Sequence, residues 1–271
     1  MTVPVASARM YSWSPTLTAA WKRLLEWVSA RAGGVMQVLE IADPYPLEEL
    51  WARQDLGCVF MCGYPWVLRQ ERPHLLAAPV PSPARYQDRP IYFTDFIVRA
   101  DSPYKTLEDT FGGTIAYSIE HSHSGYNAAR FHLLDSRRPD RPTFYSKVLG
   151  PLHRQIPVID AVIDGRADVG PVDAYGLDLL RRHGAERAAR VRVVATTVEA
   201  PSAPLVASPA VDAATRQRLT DALLAAHTAP ELASTLDELL LARFVRARPD
   251  VFDVMVERQH AAERAGYPRL A

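Results

Sequence analysis

The stretch Tyr117-Ser118-Ile119-Glu120-His121-Ser122-His123-Ser124-Gly125-Tyr126-Asn127 gathers hydroxyls, imidazoles and a glycine between a strand read at Thr114–Tyr117 and a helix read at Gly125–Leu134. A loop in that position collects backbone amides at a helix N-terminus, where N–H groups without intrahelical partners and the positive end of the helix dipole favour an anion. Ser122 and Ser124 add hydroxyl donors, and Gly125 lets a ligand approach the backbone closely. The same residues also fit a plain helix cap, the commonest role of serine there. Spacing alone leaves both readings open.

Other chemistries fit the chain less well. His121 and His123 flank Ser122 and on a strand would point the same way, yet no carboxylate or third histidine at a ligand spacing completes a metal site. They are read as solvent-facing loop histidines, and no metal is expected. A nucleophile elbow needs Gly-x-Ser-x-Gly, whereas Ser122 stands two residues before Ser124 and Gly125 follows it directly. Walker and dinucleotide glycine fingerprints are lacking too, so no catalytic residue is assigned and no cofactor is expected. Asp173, at a strand end opening a helix, reads as an N-cap that could also face a ligand. Tyr64, after a buried strand, and Tyr11, after a short first strand, share that geometry.

Alternating elements must position these residues. Ser14 and Pro15 open a helix over Pro15–Ala30, with Leu17, Trp21, Leu24, Leu25 and Val28 on one face. Asp43-Pro44-Tyr45-Pro46 reads as a turn, Gly57–Met61 as a buried strand and Ile91–Val98 as the strongest strand. Helices follow at Ile156–Ile163 and Ala174–Arg182, strands at Ala167–Val172 and Val191–Thr196, and Val211 to Arg264 reads as mostly helical. This alternation predicts an α/β fold with largely parallel sheets. The block between the strands near 91–98 and 191–196 predicts two lobes with a ligand cleft between them: residues 1–96 with 197–271, C-terminal helices included, and residues 97–196.

Composition narrows the function. The chain has 271 residues, with Lys+Arg 31 against Asp+Glu 31 and formal net charge +0, so a polybasic nucleic-acid binder is not expected. No apolar run approaches the ~20 residues of a membrane span, and no membrane insertion is expected. The 2 cysteines, Cys58 and Cys62, match neither a usual disulfide nor a CxxC spacing and read as buried apolar side chains. Met1–Ser14 carries no apolar run of a secretory signal, which leaves a cytoplasmic location open.

Taken in order, several blocks resemble the substrate-binding proteins of phosphate/phosphite/phosphonate ABC transporters, within the type 2 periplasmic binding protein superfamily. They are Met10-Tyr11 before the first long helix, Cys62-Gly63-Tyr64-Pro65 after a strand, Asp95–Asp101 (DFIVRAD) leading to Leu107-Glu108-Asp109 and Gly112-Gly113, Ser122–Tyr126 (SHSGY), and Ile159–Tyr175 (IDAVIDGRADVGPVDAY). The similarity runs from about residue 8 to 206. It implies a two-lobed α/β fold, a periplasmic location and a non-enzymatic role: binding a phosphonate-, phosphite- or phosphate-like anion for an ABC-type uptake system. The chain would be a monomer whose partner is an ABC transporter permease.

Carried over by position, Ser122, Ser124, Gly125 and Tyr126 would hold the oxyanion, and Tyr11, Tyr64 and Asp173 would line the cleft. The family's Ser-Gly-Ser-His run reads Leu152-His153-Arg154-Gln155 here, with Gln155 where the histidine is expected. The full candidate ligand set is Tyr11, Tyr64, Ser122, His123, Ser124, Gly125, Tyr126, Gln155 and Asp173. Two alternatives accompany this reading. One is a cytoplasmic enzyme on the same fold, of the chorismate-dehydratase type; the other is a ligand-sensing domain like those of LysR-type regulators.

Overall fold

Ser14 takes an extended backbone and its side chain accepts the Leu17 amide at 3.2 Å, which starts the helix Pro15–Arg31 with proline in its first turn. The apolar face read from the sequence is the buried face: Leu17, Trp21, Leu24, Leu25 and Val28 are all at 1% exposure or less. The helix stops at Gly33 and Gly34, both at positive φ. The computed structural model describes residues 3–41, 44–138 and 143–271. Met1, Thr2 and Asp43, which figure in the leader and turn readings, lie outside the described residues.

The chain divides into two compact units. One runs to Ile91 and resumes over Pro201–Phe252; the other comprises Tyr92–Ala200 and Asp253–Ala271. Asp253–Ala271, grouped with the first lobe on sequence, thus clusters with the second unit. Its helix Asp253–Arg264 packs on the helical segment His123–Leu133.

The first unit is built on a six-stranded sheet in the order Leu241–Arg246, His74–Pro81, Leu205–Ala207, Leu56–Phe60, Val5–Ser7, Gln37–Val38. Val5–Ser7 runs parallel to both of its neighbours, and the remaining pairs are antiparallel. The sheet is therefore mixed rather than largely parallel, because the returning strand Leu205–Ala207 inserts antiparallel between two earlier ones. Leu56–Phe60 is buried at every position, as a central strand must be. It carries Cys58, whose thiol burial pushes up to about 12; both cysteines are free and buried.

Leu241–Arg246 is a strand within the segment Val211 to Arg264, which is otherwise mostly helical as its sequence reads. Leu241 and Phe244 are both buried, and their spacing of three mimics a helix. A register shift between Leu241 and Arg243 turns both to one side of the sheet, and Leu240 at φ 51 breaks the preceding helix.

In the second unit, Val191–Thr196, Thr94–Arg99 and Gly170–Asp173 form an antiparallel three-stranded sheet. The strand expected over Ile91–Val98 is split at Phe93 into Ile91–Tyr92 and Thr94–Arg99. Thr114–Ala116 pairs in parallel with Lys147–Leu149 and touches Val169 through a single parallel bridge. The helix Gln155–Ile163 lies close on the sheet: a Cβ at Gly170 would stand 2.6 Å from Val158 Cγ1. Two kinds of feature thus converge at the ends of Thr114–Ala116 and Gly170–Asp173: polar loops and helix starts.

Candidate functional site: a serine-rich turn at a helix start

Strand Thr114–Ala116 delivers Tyr117 and Ser118, and the chain turns through residues 119–121 into the helix. Ser122 is extended (φ -81, ψ 130) and its Oγ accepts the Gly125 amide at 3.0 Å. The plain-cap reading of that serine therefore holds. The helix does not begin as an ordinary α-helix. His123–Asn127 is a π-helical turn in which the Asn127 amide donates five residues back to the Ser122 carbonyl at 3.0 Å. Such a wide first turn keeps the amides before Asn127 outside the intrahelical ladder, a local form that recurs at functional sites.

Gly125 is required here by space. A Cβ on it would stand 1.9 Å from Ser118 Oγ, 3.0 Å from Ser118 Cβ and 3.1 Å from Ser122 Oγ. The hydroxyls of Ser118 and Ser122 thus converge on Gly125. Ser118 is 2% exposed, and its Oγ has no hydrogen-bond partner among the described residues. A buried hydroxyl without a protein partner costs free energy unless a water or another group meets it, which makes Ser118 a candidate donor at this turn. Sequence reasoning passed over Ser118 within its polar loop; the available signal was its position as the first hydroxyl past the strand end. Ser118 also anchors the second loop, its carbonyl accepting the His153 amide at 2.7 Å.

The candidate residues fare differently. Ser124 is buried at 5% exposure beside Gly125. His123 is not a solvent-facing loop histidine: it is 0% exposed, and loss of hydration, then the nearby Arg258 cation, brings its pKa down to about 3. The wide turn swings this ring inward rather than along a strand face. Tyr126 lies in the second unit's core, its ring 5.0 Å from that of Tyr117 and its hydroxyl accepting the Leu270 amide at 3.1 Å.

Gln155 and Asp173 are brought together, with the Asp173 amide donating to Gln155 Oε1 at 3.3 Å. Asp173 is 3% exposed and caps the helix Ala174–His183, its Oδ1 accepting the Gly176 amide at 2.9 Å. His153 is exposed and left-handed (φ 62). Tyr11 and Tyr64 stand in the first unit. Tyr11 is packed edge-on against Phe60 at 5.2 Å, and Tyr64 lies buried in the first turn of Gly63–Leu68. Among the described residues no group of three His, Cys, Asp or Glu side chains is placed to hold a metal ion. Among the described residues no helix is long and apolar enough to cross a membrane.

The strand and helix arrangement is that of the type 2 periplasmic binding proteins. A binding-protein component of an ABC phosphonate transporter from Pseudomonas aeruginosa superposes with a TM-score of 0.80 at 18% identity, covering 98% of this chain and 88% of that one. PhnD1 from Prochlorococcus marinus, solved with methylphosphonate, gives 0.77 at 14% identity over 97% and 98%. A Xanthomonas citri protein bound to ATP gives 0.67 at 21% identity over 98% of each chain. No curated protein matches the sequence. The model of the ABC transporter phosphonate periplasmic substrate-binding protein family matches residues 11–252. The chain belongs to that family.

Proposed function

We propose that this chain binds a small phosphorus oxyanion of the phosphonate, phosphite or phosphate kind through the Ser122–Gly125 turn, as the solute-binding component of an ABC-type uptake system. The observation that carries this reading is the convergence of the Ser118 and Ser122 hydroxyls on Gly125 at a wide helix start, with Ser118 Oγ lacking a protein partner. Hydroxyls and backbone amides at a helix N-terminus are the donors an oxyanion needs. Ser124 adds a further hydroxyl, and Gln155 with Asp173 supplies a second polar point in the same unit for the rest of the ligand. In this reading His123 and Tyr126 shape the turn from behind. The role is binding without catalysis, by a monomer that hands its ligand to a permease.

A thermal-shift panel tests it: phosphate, phosphite, methylphosphonate, aminoethylphosphonate, sulfate, a sulfonate, chorismate and ATP. A ligand at ~100 times its Kd stabilises by about 2.7 kcal/mol, which raises Tm by roughly two degrees or more. A selective rise with one phosphorus oxyanion is the expected result. A rise with chorismate alone would move the reading to an enzyme, and silence with every oxyanion would remove it.

A further inference from the structure

The second unit buries two guanidinium groups that its packing does not call for. Arg130 is 4% exposed and Arg258 8%. Neither pairs with a carboxylate among the described residues. Arg130 donates to the Pro268 carbonyl and, at 3.1 Å, to Asn127 Oδ1, while its Nε meets no acceptor. Arg258 donates from Nη2 to the Glu199 carbonyl at 2.6 Å and brings Nη1 to 3.3 Å from His123 Nε2. Aromatic faces lie 5.6 Å away in each case, Tyr126 for Arg130 and Phe131 for Arg258. Dipoles and rings soften the burial of such cations, but an unpaired charge in a protein interior remains expensive.

Both cations connect to the serine turn. Asn127 is held by Arg130 at Oδ1 and by its own donation to the Met255 carbonyl at 2.8 Å, so its Nδ2 necessarily faces His123 Nδ1, at 3.3 Å. Both ring nitrogens of His123 therefore face donors. A neutral imidazole accepts from only one of them and a charged one from neither, so the ring stays neutral and the charge behind the turn is that of the two arginines. His123 sits between Ser122 and Ser124, which puts the Arg258 cation one imidazole behind the turn. The carboxylates of Glu199 and Glu257 act on Arg258, and Asp173 Oδ1 is committed to its helix cap.

We propose that Arg258 and Arg130 are positioning cations that set the charge preference of the Ser122–Gly125 turn, favouring a doubly charged oxyanion over a singly charged one of the same shape. This rests on the oxyanion reading of that turn. A fixed cation in a weakly polarisable interior attracts a ligand in proportion to the ligand's charge, in addition to the charge-assisted hydrogen bonds that the turn makes to its oxygens. Arg258 lies past residue 252, where the family match ends.

Methylphosphonate and methanesulfonate are nearly isosteric, and calorimetric titration of the full chain compares them at a pH where the phosphonate is fully dianionic. The wild-type chain is expected to prefer methylphosphonate by about tenfold or more. Arg258→Met should remove most of that preference by weakening methylphosphonate selectively, and Arg258→Lys should keep most of it. Equal wild-type affinities, or a variant that weakens both ligands alike, would overturn the proposal while leaving the oxyanion reading in place. If neither ligand binds, nor phosphate, the reading itself falls and the proposal with it. Should Arg258→Met fail to fold, the wild-type preference and the lysine variant still decide.

Discussion

The two units bury different things. The first closes on aromatic and aliphatic packing: Trp21 and Phe60 meet edge-on at 5.0 Å, Tyr11 and Phe60 at 5.2 Å, and its one buried charged group among the described residues, Arg9, is tied to the Tyr45 carbonyl at 2.7 Å. The second closes on an apolar cluster around Phe96, Ile115 and Tyr126, but sets Asp95, His123, Asn127, Arg130, Asp173 and Arg258 inside it. Buried ionisable groups are costly unless partnered, and they are concentrated in the second unit, whereas both units bury hydroxyls. Burial of a candidate residue therefore accompanies apolar packing in the first unit and ionisable neighbours in the second.

That contrast can be broken by experiment, and the largest expected effect lies in the first unit. Phe60→Ala removes the ring at the centre of the aromatic packing and should cost about 3–5 kcal/mol of unfolding free energy, read by denaturant titration. A loss below 1 kcal/mol would mean packing is not what holds that unit. Next comes Gly125→Ala. Its methyl group would collide with Ser118 Oγ, and oxyanion affinity should drop about a hundredfold, or about 2.7 kcal/mol. Adding Ser118→Gly should recover part of the turn's geometry, seen as a recovered Tm; no recovery would place the clash elsewhere.

The third effect is on pH. His123 is held neutral with a folded pKa of about 3 against an ordinary 6.5, so the unfolded chain binds the extra proton first. Its contribution is fully present above pH 6.5 and is lost as pH falls toward 3, amounting to about 2 kcal/mol by pH 5. His123→Asn should flatten the stability profile across that window; an unchanged slope would show that other groups govern it. The smallest effect is expected from Tyr126→Phe, which removes the hydroxyl that accepts the Leu270 amide. It should cost about 1 kcal/mol of stability and leave oxyanion affinity unchanged. A large loss of affinity would return Tyr126 to the set of ligand contacts.

Much of the architecture was legible in the sequence because local signals and tertiary context agree. The Ser14–Pro15 start, the buried Leu56–Phe60 strand and the Val191–Thr196 strand all appear where pattern and capping put them. Signals failed where a local irregularity changed the period. The bulge after Leu241 disguised a strand as a helix, and the return of Leu205–Ala207 between earlier strands made the sheet mixed. The serine turn was legible as an anion-binding candidate, but its interior was not. The π-helical register that buries His123 and Tyr126 leaves no mark in residue spacing. Ser118 and Gly125 meet across the loop, so their contact belongs to tertiary structure alone. Arg130 and Arg258 are 128 residues apart and share a network only because the C-terminal helix docks on the turn-bearing one.

Amide chemical-shift mapping of the full chain shows whether the Ser122–Gly125 turn holds an oxyanion. Titration with methylphosphonate, phosphite and phosphate should produce, for at least one of them, saturable shifts that are largest at the amides of His123 to Tyr126 and are abolished in Ser122→Ala/Ser124→Ala. Saturable binding whose shifts fall elsewhere and survive that double substitution would contradict the account.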